Sequence, residues 1–217
     1  MNISAVCISR DRESLPIECL PFHNYVEGWK PFGHEKTIER VSYLAERRNK
    51  AVAQTLAKFP ETEHILMIDS YYLLQTEQIK KLIGEYTEMS LARSQQGCIL
   101  GASTWIHDKT RIWPRYRFYD GWTTPEAMGL SLRKVERDGG RIAVNAVGGC
   151  YLFPVRVWYK IRYGVPADLH GCEHNWLCEQ SGLPVLLSLN VRLWREPTTY
   201  GRVKRLRMSL HLGKFFR

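Results

Sequence analysis

The chain has 217 residues, a length that suits one compact domain with one active site. Its hydrophobic content of 44% and charged content of 24% exclude a collagen-like, fibrous or disordered protein. The net charge of +9 indicates an anionic partner, such as nucleic acid, a membrane surface or the phosphates of a nucleotide. No run approaches ~20 apolar residues and no secretory signal is visible, so we expect a cytoplasmic protein.

Apolar runs and helical spacings alternate along the chain. In chain order, we predict a strand at residues 3–8, a helix at 37–58, a strand at 64–68, a helix at 76–90, a strand at 98–104, an edge strand or ordered loop at 111–119, strands at 142–147 and 151–153, helices at 155–163 and 173–181, and a strand at 183–193. This alternation predicts an α/β fold with a mostly parallel, doubly wound sheet. Ligands bind beyond the carboxyl ends of the strands in such sheets.

Polar residues follow two of the predicted strands. Asp69 stands directly after the strand at 64–68, where a carboxylate is well placed to hold a metal or a phosphate group. An aspartate at such a position also caps turns, which is the alternative interpretation. The first strand ends at the basic segment from Ser9 to Arg12. We therefore expect this edge of the sheet to bind the ligand.

Arg48 lies on the apolar face of the helix predicted at 37–58. A guanidinium on such a face must pair with an acid, reach outward to solvent or meet an anionic ligand. Its planar fork suits a diphosphate because it donates two parallel hydrogen bonds. Since Arg47 and Lys50 are its neighbours, a solvated run of charge remains the alternative.

Two further segments contain candidate site residues. Gly148 and Gly149 separate two apolar runs, which permits close approach of the backbone to a ligand or forms an ordinary turn. Glu173 begins a predicted helix, where it can accept a proton from a substrate hydroxyl or merely stabilise the helix end. A zinc site is a further alternative, since four potential ligands lie close together: His170, Cys172, His174 and Cys178.

These segments resemble the GT-A glycosyltransferases of the family-two kind, including the small versions encoded by archaeal viruses. The resemblance lies in AVCISRDRESL, AERRNKAV, ILMIDSYYLL, VNAVGGCYLFPVRVW and GCEHNWLCEQSG, and it extends from Ile3 to about Trp194. It implies a single GT-A-like catalytic domain at residues 1–200, followed by a basic tail at 201–217. It also implies that a sugar moves from a nucleotide-sugar donor to a hydroxyl of a glycan, protein or lipid, with inversion at the anomeric carbon.

The resemblance further implies roles for individual residues. Those expected to contact the donor are Ser9, Arg10, Arg12, Arg48, Asn49, Asp69, Gly148 and Gly149. Asp69 matches the first acid of the DxD motif and would hold Mn²⁺ or Mg²⁺ on the diphosphate, and Glu173 would be the catalytic base with His174 beside it. The sequence departs from the family pattern because Tyr71 replaces the last acid of the motif and His174 replaces the second acid of a Glu-Asp pair. Three interpretations remain open: a metal held by Asp69 and other groups, less reliance on metal, or loss of activity.

Other classes of protein remain as alternatives. A nucleotidyltransferase has the same kind of scaffold, but its glycine-rich basic segment after the first strand is absent here. A nucleic-acid-binding protein fits the net charge and the aromatic and basic run at 111–119, although we do not expect nucleic acid to be the partner. The tail at 202–217 combines basic residues with leucine and phenylalanine, which predicts either peripheral contact with a membrane or a solvated terminal helix. For a viral protein, the expected location is the host cytoplasm.

Overall fold

The computed structural model describes residues 1–9, 19–25, 37–69, 72–73, 75–92, 97–108, 115–118, 139–167 and 172–195. The strands within these ranges are β1 Ile3–Ile8, β2 Phe22–Tyr25, β3 His64–Asp69, β4 Tyr72–Leu73, β5 Ile99–Asp108, β6 Arg115–Phe118, β7 Arg141–Ala143, β8 Cys150–Pro154 and β9 Val185–Arg195. The helices are α1 Ile38–Lys58, α2 Thr76–Ala92, α3 Val155–Ile161 and α4 Glu173–Gln180. The predictions for Arg10, Arg12, Tyr71, His170 and the tail at 201–217 lie outside the described residues.

The described strands form one sheet of nine strands in the order β2-β1-β3-β8-β5-β9-β4, with β6 beside β5 and β7 beside β9. Strands β1, β2, β3, β5 and β9 run in one direction. Strands β4, β6, β7 and β8 run in the other. The predicted α/β class, a central sheet flanked by helices, is confirmed. Five of the seven strands on the main path run in one direction, as predicted for a mostly parallel sheet, but β8 between β3 and β5 and β4 at the end of the path are antiparallel to their neighbours, so the sheet is mixed.

Two apolar cores lie on opposite faces of the sheet. Side chains alternate between the faces of a strand, so neighbouring residues of β3 enter different cores. Ile65 and Met67 belong to the core that α1 covers, whereas Leu66 and Ile68 belong to the core that α2 covers. This cover on both faces explains why the run of β3 is continuously apolar rather than alternating.

Helix α1 begins at a side-chain cap, because the Thr37 hydroxyl accepts a hydrogen bond from the backbone N–H of Arg40 at 3.2 Å. Its buried residues follow helical spacing and are Val41, Ala45, Arg47, Arg48, Ala51, Val52 and Thr55. The stripe predicted to contain Arg48 is therefore the buried face of the helix. Both arginines of this stripe need polar partners, and those partners lie at the edge of the sheet.

Several predicted boundaries were wrong for identifiable reasons. Only Arg141–Ala143 of the strand predicted at 142–147 joins the sheet, and the chain continues outside the ladder with Val144, Ala146 and Val147 buried and Asn145 exposed. The strand predicted at 183–193 begins at Val185, after Pro184, which lacks a backbone donor. The short strands β2 and β4 were not predicted, because four and two residues are too few to show periodicity.

The carboxyl ends of β1 and β3 meet at one edge, where Ile8 pairs with Asp69. The backbone N–H of Asp69 donates to the carbonyl of Gly149 at 2.7 Å, which holds the turn before β8 against the end of β3. Gly149 has a φ of 74°, a left-handed conformation that favours glycine. Gly149 thus has a structural role at this edge of the sheet.

Candidate active site

Four side chains from three elements converge beyond the end of β3. Arg48 of α1 donates from Nε to Glu173 Oε1 at 2.9 Å, and from Nη2 to Asp69 Oδ1 at 2.7 Å and to His174 Nε2 at 2.8 Å. We call Arg48, Asp69, Glu173 and His174 the Arg48 cluster. The cluster joins parts of the chain that lie 21 and 125 residues from Arg48.

The first turn of α4 brings the cluster's acid and histidine to α1. Cys172 caps this helix, and its backbone N–H donates to the Asn175 side chain at 3.0 Å. Glu173 is the first residue of the helix, where the helix dipole favours a carboxylate. Both Glu173 and His174 are buried, with exposed fractions of 2% and 5%.

The hydrogen bonds determine the tautomer of His174. A guanidinium only donates, so His174 Nε2 must accept from Arg48 and carries no proton. The neutral ring therefore holds its proton on Nδ1, which lies 2.8 Å from the Tyr151 hydroxyl and donates to it. The Tyr151 hydroxyl is then free to donate to the Tyr163 hydroxyl at 2.7 Å. A buried chain of hydrogen bonds thus orients the ring that contacts Arg48.

The cluster keeps its arginine charged. Burial, the strongest influence, acts to lower the pKa of the Arg48 guanidinium, but the charges of Asp69 and Glu173 outweigh it and the pKa lies well above its ordinary value. Burial also raises the pKa of the Tyr151 and Tyr163 hydroxyls, so both keep their protons and can donate. The cluster therefore contains a permanent cation between two acids.

Two polar atoms of the cluster have no hydrogen-bond partner among the described residues. They are Arg48 Nη1, with two N–H groups, and Glu173 Oε2, an acceptor. A buried donor or acceptor left without a partner costs about 1–3 kcal/mol, so such atoms are uncommon. A donor and an acceptor without described partners in one buried cluster can complete their hydrogen bonds with a ligand.

Arg48, Asp69, Glu173 and His174 are thus brought together, and the other predicted residues lie around them. The carbonyl of Ser9 accepts a hydrogen bond from Arg47 Nη2 at 3.2 Å. The roles of Arg10, Arg12, Gly148 and Gly149 toward a donor stay predictions.

Asn49 lies beside the cluster but serves a different segment. Its oxygen accepts from Trp158 Nε1 at 2.9 Å and from the Tyr163 backbone at 2.8 Å, and its amide donates to the Tyr163 carbonyl at 2.9 Å. These bonds anchor the chain after α3, which ends at Ile161 and is followed by the C-cap residue Arg162 with a φ of 60°. Asn49 also lines an open cleft of about 470 Å³ that contains none of the Arg48 cluster. In this structure Asn49 fixes the position of Tyr163, and its contact with a donor stays a prediction.

Sequence reasoning missed Tyr151, Tyr163 and the structural role of Arg47. A buried tyrosine in an apolar run resembles any other core aromatic in the sequence. The hydrogen bond between the Tyr151 hydroxyl and His174 cannot be recognised from the hydrophobic pattern. Arg47 Nη2 donates to the carbonyls of Ser9 and Tyr25 at 3.2 Å each, so it ties the ends of β1 and β2 together. The position of Arg47 on the buried face of α1 was the one sequence feature that could have predicted this role.

The described residues do not fit a divalent cation at Asp69. Arg48 Nη2 already lies 2.7 Å from Asp69 Oδ1, and Arg48 also contacts the nearest oxygen of Glu173 and the nearest nitrogen of His174. Two unit charges ~4 Å apart repel by about 4 kcal/mol at an effective dielectric of about 20, and a divalent ion doubles this. Cys172, Glu173 and His174 form the one group among the described residues whose potential metal-ligand atoms all lie within 4.8 Å of one another, and Glu173 and His174 of this group already accept hydrogen bonds from Arg48.

Replacing Tyr151 with phenylalanine should destabilise the protein by about 1–3 kcal/mol, because His174 Nδ1 and the Tyr163 hydroxyl both lose a buried partner. The ¹⁵N shift of His174 Nδ1 should also change, because its N–H loses its acceptor, whereas Nε2 should stay unprotonated because Arg48 still donates to it. Urea denaturation and histidine NMR measure the two effects. The matched control is Tyr159→Phe, since Tyr159 is 63% exposed, and this change should alter stability by less than about 0.5 kcal/mol. An unchanged His174 spectrum in Tyr151→Phe would contradict the hydrogen-bond assignment.

Comparison with known proteins finds likeness in structure but not in sequence. No protein-family model matches the chain, and no curated protein matches it. A197 from STIV matches with a TM-score of 0.50 and 12% identity, over 90% of this chain and 85% of A197. A glycosyltransferase involved in the glycosylation of the major capsid of PBCV-1 matches with a TM-score of 0.41 and 16% identity, over 91% of this chain and 83% of that protein. S. aureus TarS 1–349 matches with a TM-score of 0.46 and 13% identity, over 95% of this chain and 64% of TarS 1–349. The chain is similar in fold to A197, and at this identity the likeness shows the fold alone.

Proposed function

We propose that the protein is a glycosyltransferase of the GT-A type, which moves a sugar from a nucleotide-diphosphate-sugar donor to an acceptor hydroxyl. The observation that carries the proposal is the Arg48 cluster: a buried arginine between two acids, beyond the carboxyl end of β3. This is the edge of an α/β sheet where ligands bind. The cluster offers a cationic edge and a carboxylate oxygen at one place, and sugar transfer from a diphosphate needs both.

The reaction is a single displacement. Glu173 Oε2 accepts the proton of the acceptor hydroxyl while the acceptor oxygen forms a bond to the anomeric carbon. The bond from that carbon to the diphosphate oxygen breaks, and its electron pair stays with the departing nucleoside diphosphate. Attack from the face opposite the leaving group inverts the anomeric configuration.

Arg48 has two functions in this scheme. Its Nη1 edge donates to the diphosphate, where negative charge develops as the bond breaks. Its other nitrogens hold Asp69, Glu173 and His174 in place. Asp69 accordingly positions the guanidinium, and His174 accepts from it on the remaining side.

Thermal unfolding against a panel of nucleoside diphosphates and UDP-, GDP- and dTDP-sugars tests the proposal. A ligand that binds only the folded state at about a hundredfold its Kd adds ~2.7 kcal/mol of stability. In a domain of this size we expect Tm to rise by about 5–10 °C with the preferred donor. If no nucleotide stabilises the protein while oligonucleotides bind in a salt-sensitive manner, the nucleic-acid alternative is favoured instead.

The acceptor class remains a proposal from the sequence. No described helix is long and apolar enough to cross a membrane. The tail at 202–217 carries six lysines and arginines, each of which contributes about 1 kcal/mol near an anionic surface. We therefore expect the full chain to sediment with phosphatidylserine vesicles at low salt and a chain ending at residue 201 to stay in the supernatant. Equal sedimentation of both would remove the support for a lipid-linked acceptor.

A further inference from the structure

We infer that the guanidinium of Arg48 stands in the place of a divalent cation, so that donor binding and sugar transfer at this site need no divalent metal. The inference rests on the proposed function and deepens it. It also selects one of the interpretations left open by Tyr71, namely reduced reliance on metal.

Geometry is the first support. Asp69, Glu173 and His174 are the described residues of the cluster that could bind a divalent cation at the end of β3, since carboxylate oxygen and neutral imidazole nitrogen are groups that bind such ions. One atom of each of these residues instead accepts a hydrogen bond from Arg48, at 2.7 Å, 2.9 Å and 2.8 Å respectively. The guanidinium thus contacts one potential ligand atom of each of the three residues.

Burial is the second support. The side chains of Arg48, Asp69 and Glu173 are 3%, 8% and 2% exposed, so their ion pairs are shielded from water. Two buried carboxylates require a positive partner, and Arg48 supplies one that neither dissociates nor loses its proton. Arg48 therefore compensates the charge of both acids without any ion from solution.

The unused edge of Arg48 is the third support. Nη1 is buried, has two N–H groups and has no hydrogen-bond partner among the described residues. A guanidinium forms charge-assisted hydrogen bonds with phosphate oxygens. Arg48 can therefore neutralise part of the diphosphate charge directly, which is the contribution otherwise expected from a bound metal ion.

The decisive experiment measures donor binding with and without metal. The purified full chain is treated with EDTA, and thermal unfolding is followed with the donor panel in EDTA, in Mn²⁺ and in Mg²⁺. We expect the preferred donor to raise Tm equally in all three. A shift that occurs only with Mn²⁺ or Mg²⁺ would overturn the inference and leave the proposed function standing. No shift under any condition would remove the proposed function, and the inference with it.

Metal binding by the protein alone gives an independent readout. The electron paramagnetic resonance signal of free Mn²⁺ should be unchanged when wild-type protein is added, and the signal should fall when Arg48→Ala is added, because that variant frees one atom each of Asp69, Glu173 and His174 to bind the ion. Lys50→Ala is the matched control, since it removes an exposed charge from the same helix. Strong Mn²⁺ binding by the wild type would overturn the inference even if Arg48→Ala failed to fold.

Discussion

Glu173→Gln should lower the rate of sugar transfer by about 10²–10⁴-fold, the usual contribution of a general base. Donor binding should change little. The glutamine side chain has the size of glutamate, and its oxygen can still accept from Arg48 Nε, which now lies 2.9 Å from Glu173 Oε1. It cannot take a proton from the acceptor hydroxyl. Transfer is measured as nucleoside diphosphate release, and donor binding as the rise in Tm.

The chain offers a matched control for this experiment. Glu179 lies on the same helix but is exposed, so Glu179→Gln should retain full transfer and full donor binding. Near-normal transfer by Glu173→Gln would show that Glu173 is not the base. Loss of donor binding together with transfer would instead assign Glu173 to the donor site.

The parts of the fold that the sequence predicted are those with a strong local signal. The continuous apolar run of β3 and the helical stripe of α1 are long enough to show their periodicity. The helix predicted at 173–181 is confirmed as α4, and Gly182, with a φ of 65°, follows its last turn, where glycine commonly ends a helix. The position of β8 between β3 and β5 has no such signal, because pairing between distant strands depends on the whole sheet.

The candidate site was predictable residue by residue but not as a cluster. Arg48 was identified because a charge on an apolar face needs a partner, and Asp69 because it ends a buried strand. No local pattern indicated that they pair with each other, or that Glu173 completes the pair from 125 residues away. Asp69 was therefore expected to hold a metal, whereas in the structure it accepts a hydrogen bond from Arg48.

Arg48→Met should destabilise the protein by about 3–5 kcal/mol, because removing one partner of a buried ion pair leaves uncompensated charge. Methionine keeps an apolar side chain of similar reach, so the change mainly removes the guanidinium. In a domain of this size the loss corresponds to a fall in Tm of about 6–20 °C. Urea denaturation and thermal unfolding measure it. Lys50→Met is the control, because the Lys50–Glu46 pair is more than half exposed on both sides and contributes about 0–1 kcal/mol.

A variant that also neutralises Asp69 and Glu173 distinguishes the contribution of the Arg48 charge to stability from the contribution of its packing. The triple variant Arg48→Met, Asp69→Asn, Glu173→Gln should be more stable than Arg48→Met alone, since it contains no unpaired buried carboxylate. A triple variant less stable than Arg48→Met would mean that the guanidinium acts mainly through packing and hydrogen bonds. If Arg48→Met cost no more than Lys50→Met, the acids would not depend on Arg48 at all. The expected order of stability, with wild type above the triple variant and the triple variant above Arg48→Met, follows only if one buried cation compensates both acids.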